Sequence, residues 1–145
     1  MEISSTTPDE YLATLGGADH ETMTTIDSHI VDAMPGRRRV LWEGVFWGGT
    51  EQSIIGYGHI IQPRPKGEDV EWFSVGLARQ SSTFSVYVNA VEGGAYLGKV
   101  YADRLGTVKL GSASIGFRKL ENLDLDGFRA MIEHAHRITP PDPER

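Results

Sequence analysis

Cysteine is absent from the 145 residues. That single absence excludes disulfides, thiolate zinc sites, iron–sulfur ligation and cysteine nucleophiles. It fits a reducing compartment. No apolar run approaches the roughly 20 residues a membrane helix needs. The opening residues, MEISSTTPDEY, are acidic and polar and do not read as a signal peptide. Lysine and arginine are absent from residues 1–36, which hold seven acids: Glu2, Asp9, Glu10, Asp19, Glu21, Asp27 and Asp32. The net charge is −6. That argues against nucleic-acid partners, which are held by Lys and Arg neutralising phosphates. The chain therefore reads as cytoplasmic, with no membrane or nucleic-acid partner. A small molecule or protein partner, or a second copy of the chain, stays open.

What is present suits one domain, since 145 residues bury enough surface to hold a core unaided. Residues 37–120 hold eleven basic and seven acidic residues, and the last 25 turn acidic again. Residues 1–6 read as a disordered terminus. Thr7-Pro8-Asp9-Glu10 is a helix start, with a hydroxyl cap, proline at the first helical position and acids in the first turn. That helix stops at Gly16-Gly17. A second helix is predicted from about Ala18 to Met34, with Met23, Ile26, Ile30 and Met34 as its buried stripe and Pro35-Gly36 as its stop.

Four strand-like runs follow: Arg39–Trp47, Ser53–Gln62, Val70–Ala78 and Thr83–Ala90. The links GGT, PRPKG and RQSS have hairpin length and turn composition, which favours antiparallel neighbours. A third helix is predicted over about Ala95–Leu105, a strand over Ser112–Arg118, and a last helix over 125–138 capped by Asp124 or Asp126. The tail 139–145, with its prolines, reads as flexible. The expected fold is α+β, one domain over 7–138, in the order ααββββαβα. About five strands form a curved, mainly antiparallel sheet with helices packed on it.

Alternation sorts the strand faces. Phe84, Val86 and Val88 oppose Ser85, Tyr87 and Asn89; Phe73, Val75 and Leu77 oppose Trp72, Ser74 and Gly76; Ile115 and Phe117 oppose Ser114, Gly116 and Arg118. The run Ile54-Ile55-Gly56-Tyr57-Gly58-His59-Ile60 allows either face. Placing Ile54, Gly56, Gly58 and Ile60 toward the helices keeps a phenol and an imidazole out of the apolar layer. It also lets a helix approach the glycines closely. The opposite face then collects Tyr57, His59, Trp72, Tyr87 and Arg118. Aromatic bodies with polar tips are what ligand surfaces use.

Other constellations are weaker. Gly93-Gly94-Ala95-Tyr96-Leu97-Gly98-Lys99 has the spacing of a phosphate loop, but Val100 stands where a magnesium-binding hydroxyl belongs. His134 and His136, two apart on a helix, point away from each other. His29 with Asp32, near Asp19, His20 and Glu21, reads first as a solvated helix face. Arg37-Arg38-Arg39 reads as a solvated turn. His59 as general base, with Ser74 or Ser85 as nucleophile on the same face, would make a small enzyme, although no G-x-S-x-G elbow is present.

Trp42, Ile55-Gly56-Tyr57-Gly58, Gly76-Leu77-Ala78-Arg79, Phe84–Val88, Leu105–Leu120 and Asp124–Ile132 follow one another in an order that resembles the YdhG-like (DUF1801) family. The resemblance runs from about Thr7 to Ile138. Two lysines expected by it are Gln80 and Ser112 here. It implies an α+β domain with helices on a curved antiparallel sheet and a frataxin-like layout. Some members are labelled frataxin-like iron chaperones. That label would make iron the cargo and Asp9, Glu10, Asp19, Glu21 and Asp27 the acidic ridge that carries it, since iron accepts hard oxygen donors. The first expectation is a binding domain without catalysis and without a cofactor, using the sheet face. Iron carriage is the alternative.

Overall fold

The computed structural model describes residues 1–45, 51–62 and 67–143. The expected turns at 48–50 and 63–66, and the end of the first predicted strand at Trp47, lie outside them. Along the chain come β1 (Glu2–Ile3), α1 (Pro8–Ala13), α2 (Gly17–Ala33), β2 (Arg39–Val45), β3 (Glu51–Tyr57), β4 (Ile60–Gln62) and β5 (Val70–Trp72). Then follow β6 (Val75–Arg79), β7 (Phe84–Val88), β8 (Val91–Glu92), β9 (Ala95–Tyr96), α3 (Leu97–Val100), β10 (Lys109–Leu110), β11 (Ser114–Phe117) and α4 (Leu125–Ile138).

Local chemistry sets the helix ends. The Thr7 hydroxyl accepts from Glu10 N while the Glu10 carboxylate accepts from Thr7 N, a capping box with Pro8 inside it. The Asp124 carboxylate accepts from the amides of Asp126 and Gly127 and starts α4. Gly36, at φ 77°, turns the chain out of α2 toward β2.

The main sheet is antiparallel throughout, in the order β1-β2-β3-β6-β7-β11-β10. Helices cover one face. Met23, Ile26 and Ile30 of α2 and Phe128, Met131 and Ile132 of α4 pack on Leu41, Ile55, Tyr57, Val75, Leu77, Val86 and Ile115. The molecule is thus an α+β domain built on a mainly antiparallel sheet.

Several expectations need correction. The sheet has seven strands among the described residues, because two-residue edge strands flank the longer five. One of them is β1, so residues 1–6 are not a free terminus: Glu2 and Ile3 pair with Glu43 and Trp42. The tail is held as well, through hydrogen bonds from Arg37 to the Thr139 and Pro140 carbonyls. The third helix shrinks to α3 and a short 3-10 turn over Ala102–Arg104. Its first residues are taken by the hairpin β8–β9, which closes on Gly93 and Gly94 at φ 62° and 81°. Two successive positive φ angles make a hairpin turn and not a phosphate loop.

The largest correction concerns β3. Ile55 and Tyr57 face the helices, while Ile54 and Gly56 lie on the other side with Trp42, Trp72 and Phe73. Gly56 pairs with Gly76, and the two form a bare patch of sheet. A Cβ on Gly56 would sit 2.7 Å from the Trp42 indole and 2.9 Å from Phe73 Cβ; one on Gly76 would sit 2.5 Å from Phe73 Cε1. The glycines therefore admit aromatic rings and not a helix. Gly58 has a separate task. At φ 85° it bends the strand, opposite a second break at Phe73-Ser74, so that the hairpin continues at a new angle as β4 and β5. That bend carries Trp72 and Phe73 back over the sheet. Gly56→Ala is expected to cost about 1–3 kcal/mol by overpacking, seen as a lower urea midpoint with altered tryptophan emission.

Candidate functional site

The register assigns the sheet face away from the helices residue by residue. One row across it reads Val40, Gly56, Gly76, Tyr87, Ser114. The next reads Trp42, Ile54, Ala78, Ser85, Gly116, Lys109. The β2–β3 end is apolar and covered. Trp72 stacks on Phe73 with ring centres 4.3 Å apart, and Trp42 lies 5.2 Å from Trp72. The β7–β11–β10 end carries small and polar side chains.

Two clefts open on that end. The first, about 590 Å³, is walled by Gln62, Trp72, Tyr87, Asn89, Tyr96 and Ser114. The second, about 690 Å³, is lined by Ser85, Thr107, Lys109, Gly116 and Arg118, and by Ser114 again. Tyr87, Ser85 and Asn89 are held by neighbouring groups. Gln80 Nε2 donates to Tyr87 Oη at 2.9 Å and to Gln52 Oε1 at 2.9 Å, while Ser85 Oγ donates to Gln80 Oε1 at 2.7 Å. Asn89 Nδ2 donates to the Phe73 carbonyl at 2.8 Å. Burial raises the Tyr87 phenol above its ordinary pKa, against the opposing hydrogen bonds from Gln80 and Ser85, so it presents a neutral hydroxyl.

Of the five residues expected on this face, Trp72 and Tyr87 meet in the first cleft and Arg118 lines the second. Tyr57 is on the helix side, 2% exposed, with its hydroxyl donating to Asp27 Oδ1 at 2.6 Å. A phenol is tolerated in the apolar layer because α2 supplies that acceptor. His59 is buried at the strand bend, where its Nε2 lies 3.1 Å from Glu71 Oε1 and its backbone N–H donates to Asp142. It lines neither sheet-face cleft. Its proposed serine partners are engaged elsewhere, Ser74 with Thr139 Oγ1 and Ser85 with Gln80.

The acids of the first 36 residues are dispersed. Asp9 and Asp27 both pair with Arg39, Asp19 pairs with Arg79, Glu10 closes the capping box and Glu21 is exposed. Among the described residues no three His, Cys, Asp or Glu side chains group as a metal-ligand set. The arginine turn is not solvated: the Arg37 side chain is 7% exposed and reaches His136, Thr139, Pro140 and Asp142. Sequence reasoning did not single out Asn89, Ser114, Tyr96 and Gln62. The first two carry a legible signal, because Ser114 alternates with core residues on β11 and Asn89 continues the alternation of β7 one residue past its end. Tyr96 and Gln62 reach the cleft by the β8–β9 turn and the strand bend, which leave no such pattern.

Comparison with known proteins finds no matching family model, curated protein or solved structure. The resemblance to the YdhG-like family therefore rests on the order of motifs alone.

Proposed function

We propose that the chain is a small-molecule-binding domain whose site is the cleft between Trp72, Tyr87 and Tyr96 on the sheet face opposite the helices. The observation that carries this is the convergence of three aromatic side chains with Gln62, Asn89 and Ser114 around about 590 Å³. Ligand sites commonly have that size and that mixture of apolar walls with a few placed polar groups. The aromatic walls supply apolar contact, and the Asn89 amide and Ser114 hydroxyl supply orientation. The described residues that line the cleft hold no paired nucleophile and base, so the reading is of a binding site.

Chemical-shift mapping against a metabolite library tests this. Ligands should move the Trp72 indole and the amides of Tyr87, Asn89 and Ser114. Ser114→Phe, which fills the floor shared by both clefts, is expected to weaken those ligands by about tenfold or more, the cost of losing roughly 1.4 kcal/mol of contact. Shifts confined to α1 and α2 would remove the site.

A further inference from the structure

The two clefts share Ser114 and open on one floor of small residues, Ser85, Ser114 and Gly116. No described residue lining either cleft is an acid, in a chain with 20 Asp and Glu against 14 Lys and Arg. The second cleft instead has two cations, Lys109 and Arg118. A third ammonium stands at its rim, where Lys99 Nζ donates to the Gly111 carbonyl at 3.3 Å. The ion pairs among the described residues involve neither Lys109 nor Arg118. Both side chains are exposed, so their charge costs little to keep and is available to a ligand.

We propose that the two clefts form one bipartite site for a small organic anion. Its flat apolar body lies against Trp72, Tyr87 and Tyr96, and its carboxylate or phosphate end meets Lys109 and Arg118. The inference rests on the cleft assigned above and adds the chemistry of its ligand. The register supports the span. Tyr87 is opposite Ser114, and Lys109 is opposite Gly116, two residues further along β11. Two residues along the strand and two strand spacings across put those backbone positions roughly 12 Å apart. A bicyclic aromatic acid bridges that gap once the side chains reach inward. Arg118 presents a planar fork suited to a carboxylate or phosphate, and Lys109 a point charge.

The test uses two fluorescent probes, anilinonaphthalene sulfonate and its uncharged parent N-phenylnaphthylamine. The sulfonate should bind the folded protein more tightly than the parent, and added salt should narrow the difference. Lys109→Gln with Arg118→Gln should weaken the sulfonate about tenfold at low salt and leave the parent within twofold. The urea midpoint should not move, because both residues are exposed. Ser114→Phe should weaken both probes. Displacement by naphthoate or by naphthyl phosphate then separates a carboxylate end from a phosphate end. If Ser114→Phe weakens both probes but the double glutamine variant leaves the sulfonate unchanged, the cleft stands and the anion inference falls. If neither probe binds, or Ser114→Phe changes neither, the cleft itself is wrong and the anion inference falls with it.

Discussion

Asp27→Ala is expected to remove about 3–5 kcal/mol of stability, the cost of breaking a buried ion pair from one side, measured as a lower urea midpoint at neutral pH. Asp27 sits on α2 and is 7% exposed. It accepts from Tyr57 Oη at 2.6 Å, from Arg39 Nε at 3.0 Å and from Arg39 Nη2 at 2.8 Å. Alanine would leave a phenol buried without this acceptor. It would leave the Arg39 guanidinium with Asp9, whose side chain is 84% exposed and screened by water. Asp27→Asn keeps an acceptor but not the charge, and should fall between wild type and alanine. In a Tyr57→Phe background Asp27→Ala should cost about 1–2 kcal/mol less, the coupling expected of one buried hydrogen bond to a charged group. Strict additivity would show that the phenol and carboxylate do not act together.

The same cluster sets an alkaline limit. Burial first, then the Asp27 charge and hydrogen bond, hold the Tyr57 phenol well above its ordinary 10.0, against the opposing pull of Arg39. A folded-state pKa raised above the unfolded one stabilises the fold fully below the unfolded value. That stability is lost as pH rises past about 10, because the unfolded phenol ionises while the buried one resists.

Tyr57 also shows where sequence reasoning stops. Alternation assigned β7 and β11 correctly, because each has apolar residues on one side and polar or small ones on the other. The run Ile54-Ile55-Gly56-Tyr57 has an isoleucine on each face, so the choice turned on where a phenol is tolerable. The acceptor that makes it tolerable, Asp27, is 30 residues away on α2. No local pattern announces it. Gly56 misled for a related reason. Its lack of a side chain signals a close approach, but the partners are the Trp42 indole and the Phe73 Cβ, brought there by packing.

The bend at Gly58 explains the second misplacement. Reading Val70–Ala78 as one strand puts Phe73 beside Val75 and Leu77. The break at Phe73-Ser74 reverses that phase, and Phe73 joins Trp72 on the far side. Tyr87 was legible as a cleft residue because alternation along β7 fixes its side; Trp72 reaches the same face through the bend, not through alternation with β6. The clefts were not legible, because the outer wall of the first comes from β4 and β9 and one wall of the second from the edge strand β10, elements placed by turns. The acid-only first 36 residues were legible as a charge pattern but not as pairings. Arg39 and Arg79, from the basic middle of the chain, take up three of those acids.

Arg37→Ala is the second large effect, expected at about 3 kcal/mol for loss of a buried, paired charge. Its guanidinium fork ties the end of α4 to the start of β2. Nη2 donates to the carbonyls of His136 at 3.0 Å and Thr139 at 2.7 Å, Nη1 donates to the Pro140 carbonyl and to Asp142 Oδ1, and Nε donates to His136 Nδ1 at 3.1 Å. Alanine would strip the last carbonyls of α4 of this donor and Asp142 of its cation. Arg37→Lys should not rescue, because one ammonium cannot supply a planar fork to five acceptors. Amide exchange should quicken at Thr139 and toward the end of α4 while the β6–β7 amides stay protected.

The latch should also weaken in acid. Burial, then the Arg37 charge, hold the His136 imidazole below its ordinary 6.5, with Asp142 opposing. Burial alone would raise the Asp142 carboxyl. The Arg38 N–H, the Arg37 fork and the His59 N–H outweigh it and hold that carboxyl below its ordinary 3.8. Both folded values are lowered, so both contributions are complete above the unfolded values and are lost as pH falls. His136 begins the loss below 6.5 and Asp142 continues it below 3.8. The urea midpoint of the wild type should therefore decline through this range, and that of Arg37→Ala should decline less. Removing Arg37 takes away part of what lowers each group. Identical slopes for the two proteins would show that the acid dependence arises elsewhere and that Arg37 is only a packing element.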